Sequence, residues 1–217
     1  MAGPSTFSSR PDIALTDTTD PALDQRKASL RLKLKERRAE AASANGAAIA
    51  ALAAERFLAA IPVAAGQVVA GYWPMGDELD PRPLLLTLQR QGVLIVLPAV
   101  QKGTRLLQFR LCEDLACLPP AGAYGIPAPG ETASALRPDI LLVPLVGFDT
   151  AGRRLGMGGG YYDTTLQALR AAVDKKIVAV GYAFAVQQVA ELPHGAHDEM
   201  LDWAVTERGA QQFNGQD

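Results

Sequence analysis

The residues of this chain best suited to chemistry lie in a glycine-rich stretch from Leu141 to Asp163, LLVPLVGFDTAGRRLGMGGGYYD. The pattern predicts a buried strand, then a loop with five glycines, then the start of a helix that carries two tyrosines and an aspartate. Glycine lets a ligand approach the main chain closely, and a helix N-terminus offers unpaired N–H groups to a phosphate. Asp163 would repel that phosphate unless a Mg²⁺ ion lay between them. The stretch therefore predicts a site for a Mg-nucleotide or another phosphorylated ligand.

This loop matches neither of two common phosphate-binding motifs. A P-loop ends in Gly-Lys-Ser/Thr, and no Lys-Ser or Lys-Thr follows the glycines here. The GxGxxG fingerprint fails because counting from Gly156 puts Tyr161 at the third glycine position. A flexible surface loop remains the alternative, since glycine-rich runs are usual there. The apolar strand before the loop, the periodic helix after it and the Arg153-Arg154 pair inside it favour phosphate binding.

Two helices and then an alternation of strands and helices must position this loop. Asp20-Pro21 predicts the N-cap and first residue of a helix to about Ser43, and Asn45-Gly46 separates it from a second helix to about Ala60. Further helices are predicted near 81–90, 160–173 and 186–190, and strands at 67–72, 93–97, 105–111 (an edge strand), 139–146, 176–182 and 203–206. This alternation predicts an α/β fold of three layers, with a mainly parallel sheet flanked by helices. Ligands gather at the carboxyl ends of the strands in such sheets.

Composition describes a soluble globular protein and limits its partners. The chain has 217 residues, of which 48% are hydrophobic and 20% charged, with a net charge of −2. That charge argues against a nucleic-acid or membrane-surface protein. Cys112 and Cys117 fit neither a disulfide framework nor a zinc site. We expect a cytoplasmic protein, monomeric, with a flexible tail at residues 1–22 and one domain at 23–217.

Motifs along the chain, in order, resemble those of the 5-formyltetrahydrofolate cyclo-ligase (5,10-methenyltetrahydrofolate synthetase) family. The most specific is Arg154-Leu-Gly-Met-Gly-Gly-Gly-Tyr-Tyr-Asp163. The others are individually weak but follow the family order: Lys27-Ala-Ser-Leu-Arg31, Trp73-Pro-Met-Gly-Asp-Glu78, Leu97-Pro98, Tyr124-Gly-Ile-Pro, Phe148-Asp149, Gly181-Tyr-Ala-Phe-Ala, Gln187, Pro193, His197-Asp198 and Asp202.

The resemblance implies a reaction that uses ATP and Mg²⁺. A formamide oxygen is a poor leaving group, so transfer of the γ-phosphoryl group to it activates 5-formyltetrahydrofolate. N10 of the folate then attacks the activated carbon, which gives 5,10-methenyltetrahydrofolate, ADP and phosphate. Phosphoryl transfer depends on positioning and charge neutralisation more than on a protein nucleophile. The chain has no obvious Ser/His or Cys/His pair, which agrees with that chemistry.

The resemblance also implies the site residues. It gives no certain catalytic residue, and Arg154 and Tyr161 would assist the reaction. It assigns Mg²⁺ to Asp163 and Asp198. The ATP-binding residues implied are Lys27, Arg31, Arg154, Leu155, Gly156, Met157, Gly158, Gly159, Gly160, Tyr161 and Tyr162. Those implied for the folate are Trp73, Glu78, Tyr124, Met157, Gly158, Gly159, Gly160 and Tyr161.

Some positions depart from the family pattern, namely Met157, Gly159, Ala128 and Thr164. They bear on folate contacts more than on the nucleotide site. Two other functions remain open: a nucleotide- or folate-binding homologue without ligase turnover, and an enzyme of the same fold that acts on another phosphorylated substrate. Arg154, Asp163 and Glu78 favour turnover over the first. Glu78 and the Tyr124 loop favour folate over the second.

Overall fold

A long N-terminal helix begins where the sequence places a cap. The structure, a computed structural model, describes residues 20–118, 125–172 and 176–213. Helix α1 (Pro21–Ala60) starts after Asp20, whose Oδ1 accepts a hydrogen bond from the Ala22 N–H at 3.0 Å. It is kinked at Asn45, whose φ of −163° is not helical. The predicted break lies at this residue, but the helix continues on the other side instead of ending in a loop.

The central sheet has seven strands, five of them parallel. In chain order its elements are β1 (Val68–Ala70), α2 (Arg82–Arg90), β2 (Leu94–Val100), β3 (Leu107–Leu111), β4 (Ile140–Val143), then, after a second small sheet, α3 (Tyr161–Ala171), β7 (Val178–Tyr182), β9 (Trp203–Thr206) and β10 (Gly209–Gln212). The spatial order is β10-β9-β7-β4-β1-β2-β3. Strands β3 and β10 are antiparallel to their neighbours and form the two edges.

The small sheet carries the glycine-rich loop. It consists of β5 (Gly147–Asp149), β6 (Arg154–Leu155) and β8 (Gln188–Val189), in the order β6-β5-β8. Asp149 is fully buried, and its two carboxylate oxygens accept hydrogen bonds from the N–H groups of Ala151, Arg153 and Leu192. This carboxylate fixes the turn between β5 and β6, and so fixes where the loop after β6 begins.

Helices cover both faces of the central sheet, which confirms the predicted α/β layer structure. Alternate residues of the same strands face opposite layers because side chains alternate along a strand. Val69 and Leu142 pack with Phe57 of α1, and α2 lies on the same face. Leu141, one residue before Leu142, packs with Leu166 of α3 on the other face. The glycine-rich loop, the Trp73 turn and the segment after Phe184 all follow strands of this assembly, at the side predicted for ligands.

Most predicted elements are present, with differences at their ends. Strand β2 continues through Pro98 to Val100, beyond the predicted end at Leu97, because it pairs there with β3 as an antiparallel partner. The predicted 186–190 helix is a 3₁₀ turn at Ala185–Gln187 followed by β8. Strands β5, β6, β8 and β10 are not predicted by the sequence pattern. Helix α1 begins two residues inside the predicted tail, and residues 1–19 lie outside the described part. No helix among the described residues is long and apolar enough to cross a membrane.

Candidate active site

The glycine-rich loop from Gly156 to Gly160 leads directly into helix α3. Gly158 and Gly160 have φ of 102° and 71°, a region that side-chain-bearing residues rarely adopt. Gly160 is the N-cap residue of α3, and no side chain caps the first turn of that helix. The positive end of the α3 dipole therefore meets the loop, where it favours an anion, as the sequence predicts.

Two guanidinium groups from different elements lie beside this loop. Arg31 of α1 donates a hydrogen bond from Nε to the Gly156 carbonyl at 2.8 Å, and a Cβ placed on Gly158 would be 3.7 Å from its Cζ. Arg105, in the exposed turn between β2 and β3, has its Nη1 3.4 Å from the position of a Cβ on Gly160. The turn is held near α3 because the Leu107 N–H donates to the Thr165 hydroxyl at 3.0 Å. Arg105 was not predicted, and nothing in its sequence spacing connects it to the loop.

One face of α1 presents cations to three parts of the site. Lys27, Arg31, Leu34 and Arg38 follow at spacings of four, three and four, which place them on one side of a helix. Leu34 fills the space beside Gly147, where an added Cβ would lie 2.5 Å from its Cδ1. This contact fixes the height of α1 over β5. Lys27 and Arg31 on this face were predicted from the sequence, but Arg38 was not.

Two of the predicted phosphate-binding cations, Lys27 and Arg154, form ion pairs with the two predicted metal ligands. Lys27 Nζ lies 2.5 Å from Asp198 Oδ2, and Arg154 Nη2 lies 2.5 Å from Asp163 Oδ1. Arg154 also donates to the Glu199 carbonyl, while the Glu199 N–H donates to Asp163 Oδ1 at 3.1 Å. The backbone of residue 199 thus connects both members of the Arg154–Asp163 pair to the segment that carries Asp198.

Arg154 is almost completely enclosed, which changes the role expected for it. Its side chain is 3% exposed, against 35% for Asp163. Burial lowers the pKa of its guanidinium, and the charge of Asp163 opposes that effect. Direct contact between Arg154 and a phosphate therefore requires this ion pair to open. In the arrangement observed, Arg154 orients Asp163.

Asp163 and Asp198 have the chemistry of a magnesium site only together with ligands from outside the protein. Both carboxylates act on the charge of Arg154, so they lie near the same guanidinium. The described residues contain no group of three or more His, Cys, Asp or Glu side chains that could hold a metal by themselves. Mg²⁺ commonly takes one or two carboxylates and completes its shell with waters and substrate phosphates. The donor set fits that arrangement.

Glu78 lies in a tight turn between β1 and α2. Its Oε2 accepts a hydrogen bond from the Met75 N–H at 3.0 Å, and its own N–H donates to the Met75 carbonyl at 3.1 Å. Its side chain is only 7% exposed. Trp73, in the same turn, has the Arg82 guanidinium 4.9 Å from its ring centroid, so one face of the indole is occupied. Tyr124, the remaining residue predicted for folate, lies outside the described residues.

The charge of Glu78 connects this turn to the glycine-rich loop. Burial raises the pKa of Glu78, while the Met75 N–H and the Arg38 guanidinium lower it. Burial also raises the pKa of Tyr162 on the first turn of α3, and Glu78 adds to that increase. The charge of Glu78 therefore reaches the first turn of α3, which follows the glycine-rich loop.

The remaining predicted residues divide between the loop surface and the core. Met157 is 49% exposed on the loop, and Gly158 and Gly159 are exposed beside it. Tyr161 and Tyr162 pack partly against the core cluster beneath α3. Leu155 is buried, and its carbonyl accepts a hydrogen bond from the Val146 N–H at 2.7 Å. Its side chain is therefore unavailable to ATP.

Known proteins share both the sequence and the fold. A sequence profile of the 5-formyltetrahydrofolate cyclo-ligase family matches residues 23–207. A relative named 5-formyltetrahydrofolate cyclo-ligase from Escherichia coli K12 is 35% identical over 162 residues, which cover 71% of this chain and 85% of the relative. Another of the same name, from Haemophilus influenzae, is 36% identical over 131 residues, 58% of this chain and 67% of the relative.

Solved structures match over most of the chain. The structure of 5,10-methenyltetrahydrofolate synthetase from Aquifex aeolicus has a TM-score of 0.70 and 27% identity, and covers 88% of this chain and 95% of its own. The synthetase from Mycoplasma pneumoniae has a TM-score of 0.65 over 83% of this chain and 98% of its own. At 22% identity, this structural likeness shows a shared fold and nothing further.

Proposed function

This chain belongs to the 5-formyltetrahydrofolate cyclo-ligase family, and we propose that it converts 5-formyltetrahydrofolate to 5,10-methenyltetrahydrofolate with consumption of ATP. The proposal rests on the relation between two groups of residues, the turn that carries Glu78 and the glycine-rich loop before α3. A buried carboxylate, Glu78, raises the pKa of Tyr162 in the first turn of α3, and α3 begins directly after the glycine-rich loop to which the Arg31 guanidinium is hydrogen-bonded. One subsite suits a heterocycle with paired donors, and the other suits a phosphate chain.

The phosphate subsite is formed by the loop and the cations around it. Arg31 is already held against the Gly156 carbonyl, so it needs little reordering to meet a phosphate. The first N–H groups of α3 and Arg105 add positive potential at Gly160. These groups would orient the γ-phosphoryl group and spread its charge, which is what this chemistry asks of the protein.

Asp163 and Asp198 would hold the Mg²⁺ ion that neutralises the ATP phosphates. Each carboxylate is now paired with a cation, Arg154 or Lys27. Lys27 would be free to bind the phosphates if Asp198 held a metal instead of its ammonium. Arg154 keeps its contacts with Asp163 and the Glu199 carbonyl, and so holds one metal ligand in position.

At the other end of the site, Glu78 would bind the pterin. A carboxylate accepts two hydrogen bonds from the aminopyrimidinone edge of that ring. Tyr161 and Trp73 supply ring surface beside it. With the pterin fixed there, the formyl group on N5 lies between Glu78 and the loop. Once the formyl oxygen carries the γ-phosphoryl group, N10 would attack the formyl carbon. The C–N bond would form as the C–O bond breaks, phosphate would leave with the formyl oxygen, and the N10 proton would pass to solvent. No protein nucleophile takes part.

Turnover is the direct test. Protein is mixed with ATP, Mg²⁺ and 5-formyltetrahydrofolate, and the near-ultraviolet absorbance of the methenyl product is followed together with phosphate release. We expect one phosphate for each methenyl product. Phosphate release without methenyl absorbance would favour an enzyme that acts on another phosphorylated substrate. Binding of ATP and folate without any product would favour a homologue that lacks turnover.

A further inference from the structure

Arg38 is a buried arginine with an unusual set of partners. It is 3% exposed and lies on the α1 face that carries Lys27 and Arg31. Its Nη2 donates to Asp77 Oδ1 at 2.6 Å, and its Nη1 donates to the Leu145 carbonyl at 3.4 Å. The same Nη1 lies 3.8 Å from Glu78 Oε1. Arg38 therefore links three elements: α1, the turn that carries Glu78, and the chain just before β5.

The partners of Arg38 are not those of a side chain that only stabilises the fold. Its Nε is buried and has no hydrogen-bond partner in the described part of the chain. Burying an unpartnered donor is costly, so natural proteins rarely retain one without a function. The contacts of Arg38 are to Asp77, Glu78 and the Leu145 carbonyl, so we assign it a role through these neighbours.

We propose that Arg38 is a positioning residue, which holds Glu78 in its ionised form and in the orientation needed to bind the pterin. The proposal rests on the function proposed above and extends it to a residue that does not contact either substrate. Arg38 fixes the turn through Asp77 and places a positive charge beside the carboxylate that must accept two hydrogen bonds. The adjacent Arg37 is exposed, and we assign it no such role.

The charges around Glu78 determine the direction of the effect. Burial raises the pKa of Glu78, Arg38 from α1 lowers it, and Asp77 from the same turn raises it. Tyr162 from α3 and Tyr72 from the strand end also lie close enough to interact with its charge, and both have raised pKa values. They are neutral at physiological pH, so Arg38 is the cation that favours the ionised form of Glu78.

Removal of Arg38 should therefore make folate binding fail at low pH first. In Arg38→Met, we expect the acid limb of log(kcat/KM) for 5-formyltetrahydrofolate to shift to higher pH by about one pH unit or more. On that limb the loss corresponds to about tenfold for each pH unit. The KM for ATP should stay within about threefold of wild type, and folate KM should recover as the pH is raised. Arg37→Met is the matched control and should keep the wild-type profile.

Two more variants keep the test decisive if Arg38→Met does not fold. Arg38→Lys keeps the charge, so the acid limb should return toward that of wild type. Asp77→Asn removes the carboxylate that raises the pKa of Glu78 and frees Arg38 to approach it. The acid limb of Asp77→Asn should shift to lower pH, opposite to that of Arg38→Met. A shift in the same direction, or equal losses of folate and ATP affinity, would mean a general disturbance of the turn and would overturn the proposal.

Wild-type measurements separate this proposal from the function on which it rests. Wild-type protein that neither forms methenyl product nor quenches its tryptophan fluorescence with 5-formyltetrahydrofolate would overturn the proposed function. Active wild type with identical pH profiles for Arg38→Met and Arg37→Met would overturn only the role of Arg38.

Discussion

At the scale of single residues, two of the three predicted cations are paired with a predicted carboxylate, while Arg31 donates to the Gly156 carbonyl. Lys27 binds Asp198 and Arg154 binds Asp163. Both pairs are partly or fully shielded from water, where breaking a pair by removal of one member leaves a charge without compensation. Substrate binding must therefore exchange partners within the site and not simply fill an open surface. Substitutions that remove one charge should show which partner matters for turnover.

Asp163→Asn tests the magnesium role. If Asp163 is a metal ligand, we expect kcat/KM for ATP to fall by about two orders of magnitude, which corresponds to about 2.7 kcal/mol, and to recover partly at high Mg²⁺. A mere helix-end charge would be worth at most about 1 kcal/mol of stability and would leave the rate intact. Asp24→Asn is the control, because Asp24 is an exposed carboxylate in the first turn of α1. Near-normal turnover of Asp163→Asn at limiting Mg²⁺ would decide against the metal.

Glu78→Gln tests the recognition of the folate. The amide keeps the shape but turns one acceptor into a donor, so one charge-assisted hydrogen bond to the pterin edge is lost. Such a loss costs about 1.5–3 kcal/mol, and folate KM should therefore rise about 10- to 150-fold. Calorimetry should give an unchanged affinity for ATP. The control is Glu55→Gln, because Glu55 is an exposed carboxylate on α1. A weakened ATP affinity in Glu78→Gln but not in the control would contradict the assignment of Glu78 to the folate.

At the scale of elements, helix α1 acts as the support for the cations. Leu34, between Arg31 and Arg38, packs against Gly147 at the start of β5. It also packs with Val146, Leu155 and Leu192 in a small cluster. Gly147 permits the approach because it has no Cβ. The positions of Lys27 and Arg31 over the loop thus depend on one glycine in a different element.

Gly147→Ala should push α1 away from β5. The added Cβ would lie 2.5 Å from Leu34 Cδ1, and overpacking of this kind costs about 1–3 kcal/mol in free energy of unfolding. The KM for ATP should rise with it. In Gly147→Ala/Leu34→Ala the Leu34 Cδ1 that the added Cβ would meet is gone, although the Gln187 carbonyl remains 3.3 Å from that Cβ. Urea denaturation should therefore show a cost below the sum of the single variants by at least about 0.5 kcal/mol.

Gly46→Ala serves as the control for that pair. Its Cβ would meet nothing nearer than the Ala42 Cβ at 4.0 Å, and it lies within the helix, where alanine is favoured. Its stability should stay equal to wild type or rise. Strictly additive losses in the Gly147/Leu34 double variant would contradict the proposed contact.

At the scale of the whole molecule, three tyrosine hydroxyls are enclosed near the carboxyl ends of the sheet strands, Tyr72 and Tyr182 on the α1 face and Tyr162 on the α3 face. Tyr72 donates to the Leu79 carbonyl at 2.6 Å, and Tyr182 donates to the Ala50 carbonyl at 3.3 Å. Part of the Tyr162 ring is exposed, but its hydroxyl end is surrounded by protein. Burial raises the pKa of all three above the ordinary value of 10.0. The folded state therefore keeps these protons at a pH where the unfolded chain releases them.

Stability should accordingly fall at alkaline pH. A raised pKa in the folded state contributes stability that is fully present below about pH 10 and is lost as the pH rises through the folded-state values. Each of the three residues should steepen the decline by up to about 1.4 kcal/mol per pH unit. The measurements are urea unfolding from pH 8 to 11 and tyrosinate absorbance. Tyr182→Phe should flatten the decline, and ionisation of all tyrosines near pH 10 without unfolding would refute the prediction.

The sequence by itself determined the features that depend on local patterning. Alternating strand and helix patterns fixed the α/β class, and the Asp20-Pro21 cap placed the start of α1. The motif from Arg154 to Asp163 indicated the family. Its Gly158 and Gly160 have positive φ, which few other residue types adopt. The partners of these residues were decided only by the tertiary structure. Arg38 looks like its exposed neighbour Arg37 in sequence, and Arg105 is separated from Gly160 by β3, β4, β5 and β6.

The physical reason is that burial and charge pairing come from contacts between distant elements. The pairing of Lys27 with Asp198 joins residues separated by 171 positions, and no local period encodes it. Strands as short as β5, β6 and β8 have too few residues to show alternation, so they form only because the surrounding sheet and α1 hold them. For the same reason, the enclosure of Arg154 became visible only once the chain was folded around it.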